Sequence, residues 1–254
     1  MNHVLGMNKI RSAVVPAAGN NKRLQSLNLT KILPKPMIPI IGKPILEHII
    51  DFLTFNKINN IYIVVNNKMD TIVNYFGDGQ EFGATIQYIV QEKLNGIAMA
   101  INLSKELIED DFLCILGDTF IRKQNIGQMV KKFYEKDAVV VQALSKESDP
   151  TRIIQSCNVI TDNEDRILDI IEKPKEPLNR IRGAGLYIFK RDLFDYLTQT
   201  KKSSLRNEVE ISDTIRYIAE LKKAYGYWLE YSDVNINEEI DIKKATLMAL
   251  GLEK

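Results

Sequence analysis

The sequence predicts an α/β fold: a Rossmann-like mixed, mostly parallel sheet flanked by helices, with a smaller antiparallel extension. Three observations predict it. Short β-branched or aromatic runs alternate with segments of helical period up to about residue 145, as when helices cover a parallel sheet. Beyond that point strand-like runs follow one another with few helices between them. At 254 residues, with 45% apolar and 26% charged residues, the chain can bury one core of ordinary size. Residues 1–254 therefore read as one domain with two halves, about 12–145 and about 146–254, and with no repeat or low-complexity linker.

The elements follow in order. The first strand is Ala13 to Pro16, and it runs into a turn through Ala17, Ala18, Gly19 and Asn20 and then a loop holding Pro34, Pro36 and Pro39. Pro44 suits a first helical position, and Ile45, Leu46, Ile49, Ile50 and Leu53 recur at three and four residues, which predicts a helix to Asn56. Further strands are expected at Ile61 to Val65, Thr85 to Val90, Phe112 to Leu116 and Ala138 to Leu144, with helices near Ile97 to Ile108 and Ile126 to Glu135. The later strands are expected at Cys157 to Thr161, Ile167 to Glu172, Gly185 to Phe189 and Gly226 to Tyr231. Helices at about Glu210 to Lys222 and Glu238 to Leu250 complete the fold.

Composition excludes several function classes. A formal net charge of +1 supplies no global field for a nucleic acid polymer or an anionic membrane, so anion binding must come from local clusters. Cys114 and Cys157 are the only cysteines and form neither a CxxC pair nor a metal spacing, so no disulfide framework or zinc site is implied, and a reducing, cytoplasmic setting is expected. No apolar run approaches the length of a membrane span.

From Ser12 to Leu46 there is no Asp or Glu, while Lys22, Arg23, Lys31, Lys35 and Lys43 fall in that span. Such a loop, at the carboxyl end of a first strand, lies where open α/β sheets bind ligands and suits a polyphosphate. For Lys31 and Lys43 taken singly, solubilising surface lysines are the simpler account. Val15-Pro16-Ala17-Ala18-Gly19-Asn20-Asn21-Lys22-Arg23-Leu24, followed by Leu33-Pro34-Lys35-Pro36-Met37 and Gly42-Lys43-Pro44, resembles the signature of sugar nucleotidyltransferases. That resemblance implies that Ala17, Ala18, Gly19 and Asn20 hold base and ribose, that Arg23 neutralises a triphosphate, and that Lys35 contacts phosphates. The chain has Gly19-Asn20-Asn21-Lys22-Arg23 where the family usually shows Gly-x-Gly-Thr-Arg; Asn tolerates positive φ in place of Gly.

Tyr88-Ile89-Val90-Gln91 with Asn95-Gly96-Ile97 looks like the base-binding element of the thymidylyl and uridylyl branch, with Gln91 at the base edge and Gly96 allowing close approach to the nucleotide. An amide flip at Gln91 suits cytosine too, and the departure from the family pattern at Ser156-Cys157 keeps open CTP or GTP, or a non-glucose acceptor phosphate, beside dTTP or UTP. The apolar strand Phe112 to Leu116 ends in Gly117-Asp118, which places a carboxylate at the sheet's ligand edge. Mg²⁺ prefers hard oxygen ligands. The resemblance makes Asp118 one ligand and, through Asp233-Val234-Asn235-Ile236-Asn237-Glu238, Asp233 the second. On the acceptor side, Ile171-Glu172-Lys173-Pro174 is similar to a family element whose glutamate accepts from sugar hydroxyls and whose lysine contacts the acceptor phosphate, and Gly183-Ala184-Gly185 resembles its sugar-pocket strand. The antiparallel extension is thus read as acceptor-binding. Ser156 and Cys157 stand where a Tyr-Gly pair is usual, and Cys157 reads as a small pocket or core residue with no histidine near it in sequence.

The resemblance implies a magnesium-dependent reaction of a nucleoside triphosphate with a sugar 1-phosphate, in a homo-oligomer. A phosphate monoester is largely ionised at neutral pH, so charge neutralisation and positioning by Arg23, Lys35, Asp118 and Lys173 suffice without a general base. Two further readings remain: a regulatory domain that binds nucleotide sugar without turnover, and a nicotinamide-binding oxidoreductase. The second needs a ribose-binding acid about 20 residues after the turn, which the acid-free span lacks.

Overall fold

The computed structural model describes residues 10–19, 33–67, 70–200 and 209–253. The chain forms β1 (Ser12–Pro16), a 3-10 turn at Lys35–Met37, β2 (Pro39–Ile40), β3 (Lys43–Pro44), α1 (Ile45–Phe55), β4 (Asn60–Val65), α2 (Asp70–Phe76) and β5 (Thr85–Val90). Next come α3 (Ile97–Asn102), β6 (Phe112–Ile115), β7 (Thr119–Phe120), α4 (Gly127–Glu135), β8 (Val140–Lys146), α5 (Pro150–Ile154), β9 (Cys157–Thr161) and β10 (Ile167–Glu172). The last elements are β11 (Ile181–Phe189), α6 (Leu193–Gln199), α7 (Ile211–Glu220), β12 (Ala224–Trp228), β13 (Val234–Asn235) and α8 (Glu239–Ala249). The α/β class expected from the sequence is the class observed: a large sheet with helices, and two small antiparallel pairs.

The chain divides into two compact units. One, the β1 unit, comprises Arg11–Leu94, Cys114–Asn125 and Glu230–Lys254. The other, the β8 unit, comprises Asn95–Leu113 and Ile126–Leu229, with Ile10. The compact units are built from interleaved segments, and β6 contributes Phe112–Leu113 to one and Cys114–Ile115 to the other.

In the β1 unit, β1, β4 and β5 form a parallel ladder, with Ser12 paired to Asn60 and Asn60 to Thr85. Ala13, Val14 and Val15 are all buried, as continuous apolar runs are when a parallel strand is covered on both faces. Helix α1 buries Ile45, Leu46, Ile49, Ile50 and Leu53 completely, and each contributes about 1.5–3 kcal/mol by leaving water. The small pairs β2 with β3 and β7 with β13 are antiparallel.

The β8 unit is mixed. Strand β8 pairs antiparallel with β11 and parallel with β12, while β9 pairs antiparallel with β10. The expected strand at Gly226 to Tyr231 begins earlier and ends at Trp228. Its cause is local to the β1 unit, where the backbone N–H groups of Glu230 and Tyr231 donate to the Gln124 side chain (3.1 and 3.2 Å) and are not free for a ladder. The helix expected to reach Ile108 ends at Asn102. Ser104 explains it, because its hydroxyl and its N–H both donate to the Ile101 carbonyl, which tightens the chain into i→i+3 turns.

Candidate active site

The chain leaves β1 at Pro16 with its backbone still held. Ala17 N–H donates to the Val64 carbonyl at 2.7 Å, and the Asn66 amide donates to the Ala18 carbonyl at 3.0 Å. Ala17 and Ala18 are buried and Gly19 is exposed. Asn20 and Arg23, expected to complete the nucleotide grip, lie outside the described residues, as does Lys22.

Strand β6 delivers Gly117 against this turn. Gly117 N–H donates to the Pro16 carbonyl at 2.9 Å, and a Cβ on Gly117 would stand 2.9 Å from the Ala17 Cβ and 3.0 Å from the Pro16 carbonyl oxygen. Only glycine permits that approach. The next residue, Asp118, is thereby set at the carboxyl end of the parallel strands, where ligands bind in open α/β sheets.

Lys35 meets it there. Pro34 and Pro36 fix the 3-10 turn that carries Lys35, and the residue is only 8% exposed. Its Nζ donates to Asp118 Oδ2 at 3.3 Å and to Asn237 Oδ1 at 3.2 Å, while the Asp118 side chain keeps 29% of its surface open. Three segments far apart in sequence thus put one ammonium between a carboxylate and an amide oxygen. Sequence reasoning found Lys35 and Asp118 and missed Asn237, whose place in the motif gave no chemical signal.

Asp233 sits elsewhere in the same unit. The β7–β13 register sets Val234 against Phe120 and Asn235 against Thr119, and Ile236 N–H donates to the Asp118 carbonyl at 2.9 Å. Asp233 immediately precedes this short pair. It is 2% exposed. Among the described residues no cluster of three or more His, Cys, Asp or Glu side chains has metal-binding proximity. Gln91 is buried just beyond β5, its N–H bonded to the Val65 carbonyl at 2.7 Å.

The β8 unit holds the remaining candidates. Gly96 has φ +105° as it enters α3. Glu172 ends β10; Lys173 follows with φ +45°, its N–H bonded to the Ser156 carbonyl at 2.7 Å and its Nζ 3.8 Å from Glu172 Oε1. Positive φ in a lysine is uncommon and costs conformational energy that the surrounding structure must offset. Ala184 is wholly buried in β11, and its carbonyl accepts from Gln142 Nε2 at 3.4 Å. Cys157 is buried beside the same amide, 3.8 Å from Nε2, and its thiol is pushed up to about 12, chiefly by burial and then by the charge of Glu172. That thiol stays protonated at neutral pH, in keeping with a packing residue. Two features escaped the sequence: Gln142 Oε1 and the Ser156 hydroxyl, both buried with no hydrogen-bond partner among the described residues, and the buried Arg182–Glu147 pair at 3.8 Å.

Comparison with known proteins decides what this arrangement belongs to. The family model described as nucleotidyl transferase matches residues 12–234. The chain belongs to that nucleotidyl transferase family. It is similar to the bifunctional protein GlmU of Methanocaldococcus jannaschii, with 34% identity over 221 residues that cover 85% of this chain and 50% of that protein. The chain thus spans half the length of that relative. It is also 34% identical, over 80% of its length and 81% of the relative, to the UTP–glucose-1-phosphate uridylyltransferase AglF of Haloferax volcanii. Among solved structures, a protein assigned as a glucose-1-phosphate thymidylyltransferase from Bacillus anthracis superposes with a TM-score of 0.84 at 26% identity, covering 96% of both chains. No described helix is long and apolar enough to cross a membrane.

Proposed function

We propose that this protein is a sugar-1-phosphate nucleotidyltransferase that converts a nucleoside triphosphate, dTTP or UTP, and a sugar 1-phosphate into a nucleotide sugar and pyrophosphate. The observation that carries the reading is the Lys35 ammonium held against Asp118 beside the turn after β1. The likeness to AglF supports UTP. Gln91 at the end of β5 suits the edge of a uracil or thymine, and its amide leaves CTP as the alternative.

An acceptor phosphate oxygen attacks the α-phosphorus; the new P–O bond forms as the bond to the β-phosphate breaks, and pyrophosphate leaves with the electron pair. The acceptor oxygen is already ionised, so the protein's task is orientation and neutralisation. Lys35 and Arg23 neutralise the triphosphate and the departing pyrophosphate. Glu172 accepts from hydroxyls of the sugar, and Lys173 draws the acceptor phosphate in. Asp118 fits a divalent cation such as Mg²⁺: it offers hard oxygens, is partly open, and already attracts a cation. Bound there, such an ion supplies charge neutralisation at the α-phosphate. Asp233 is the second ligand this reading carries, and Asp233→Asn tests it through loss of metal affinity.

Pyrophosphate release, followed with Mg²⁺ across a panel of triphosphates and sugar 1-phosphates, tests the proposal. Release is expected with at least one pairing of UTP or dTTP and a hexose 1-phosphate. Triphosphate binding without pyrophosphate release from any pairing would replace this reading with that of a non-catalytic regulatory domain.

A further inference from the structure

The segment that enters α8 is pinned at both ends. Ile236 N–H donates to the Asp118 carbonyl at 2.9 Å, and the N–H groups of Asn237 and Glu238 both donate to Asp241 Oδ2, at 2.9 and 2.8 Å, within a capping box. Asp241 is itself buried. Between these anchors the Asn237 side chain reaches the Lys35 ammonium, 202 residues away in sequence.

We propose that Asn237 is a positioning residue for Lys35, holding its ammonium toward a nucleoside triphosphate; the inference rests on the reading of this site as the triphosphate site. Asp118 alone would draw the flexible lysine into a closed one-to-one ion pair. A neutral amide oxygen on another side shares the ammonium's donors without cancelling its charge, so the cation stays available to phosphate. A second carboxylate at the same place would leave the trio with net negative charge and repel the substrate. The rigid anchoring of residues 236–238 is what such positioning requires, because a donor already in place need not reorganise when phosphate arrives.

The test compares Asn237→Ala, Asn237→Asp and the control Lys35→Ala in the full chain, by calorimetric triphosphate binding without divalent metal and by steady-state kinetics with it. Asn237→Ala is expected to raise the KM for triphosphate about tenfold, as loss of one charge-assisted hydrogen bond does, while the KM for the sugar phosphate stays within about twofold. Asn237→Asp keeps the shape and an acceptor oxygen, so it covers the case in which Asn237→Ala fails to fold. It is expected to weaken metal-free triphosphate binding about tenfold or more; for Asn237→Ala, a merely structural role would leave that binding unchanged. If Lys35→Ala weakens binding and both Asn237 variants bind as the parent does, this inference is overturned and the site reading survives. If Lys35→Ala also binds as the parent does, the site reading itself fails.

Discussion

The two units hold their candidate charges in different ways. In the β1 unit, Lys35, Asp118 and Asn237 come from segments 83 and 202 residues apart and meet at 3.2–3.3 Å. In the β8 unit, Glu172 and Lys173 are neighbours in sequence, each side chain 27% exposed, and their charged atoms are 3.8 Å apart. A pair of that kind is worth little to stability. The first site is a constellation assembled across the sequence; the second is a pair of neighbours at a strand end. If the proposed transfer is right, the division follows from it, because in-line attack needs a strictly placed triphosphate, whereas an acceptor can be chosen by packing around its rim.

The sharpest way to break the comparison is Asp118→Asn. It removes the carboxylate that pairs with Lys35 and that we assign to the divalent cation, and it conserves shape. Pyrophosphate release should fall at least about 10³-fold, with little change in melting temperature because Asp118 is part-exposed. Activity within tenfold of the parent would remove Asp118 from the reaction and dissolve the contrast between the units.

A second substitution probes rigidity in the β8 unit. A Cβ on Gly183 would stand 2.2 Å from Gln142 Nε2 and 2.6 Å from Cys157 Sγ, both buried. Gly183→Ala must therefore push two packed side chains aside, at a cost of about 1–3 kcal/mol in stability. Chemical denaturation reads this directly. An unchanged midpoint would mean that the wall behind β11 is soft, and that selectivity cannot come from packing there.

The sequence made the first site more legible than the second, and the reasons are physical. Lys35 and Asp118 sit in motifs whose backbone context is local: two prolines around a lysine, and an apolar strand ending in Gly-Asp. Asn237 could not be read that way, since its role exists only through a contact across 202 residues. Helix α2 escaped notice because, of its seven residues, only Ile72 and Phe76 are buried, too few to mark a helical period. Helix α6 is likewise only seven residues long. Strand β11 begins at Ile181, four residues before the strand expected from the Gly183-Ala184-Gly185 run, because Gly183, which signals a turn, serves here as a close-approach position. Gln142 was lost among the valines of β8, where a period-two pattern says nothing of an orphaned carbonyl oxygen.

The smallest expected effect concerns Cys157. Burial, then the Glu172 charge, pushes its thiol up to about 12. A thiol ionises by losing a proton, so a raised value means less thiolate at every pH below it. At pH 8 the folded protein should react with iodoacetamide on the order of 10³ times more slowly than free cysteine does. The sign extends to stability: the unfolded thiol ionises first, so the contribution of this group is complete below the ordinary thiol range and is lost as pH rises through it toward the folded value. Glu172→Gln removes the second cause and leaves the first, so alkylation should quicken only modestly and stay far below the free rate. Rapid alkylation at Cys157 of the folded parent at pH 8 would show that solvent reaches the thiol behind β9 and that packing does not close it there.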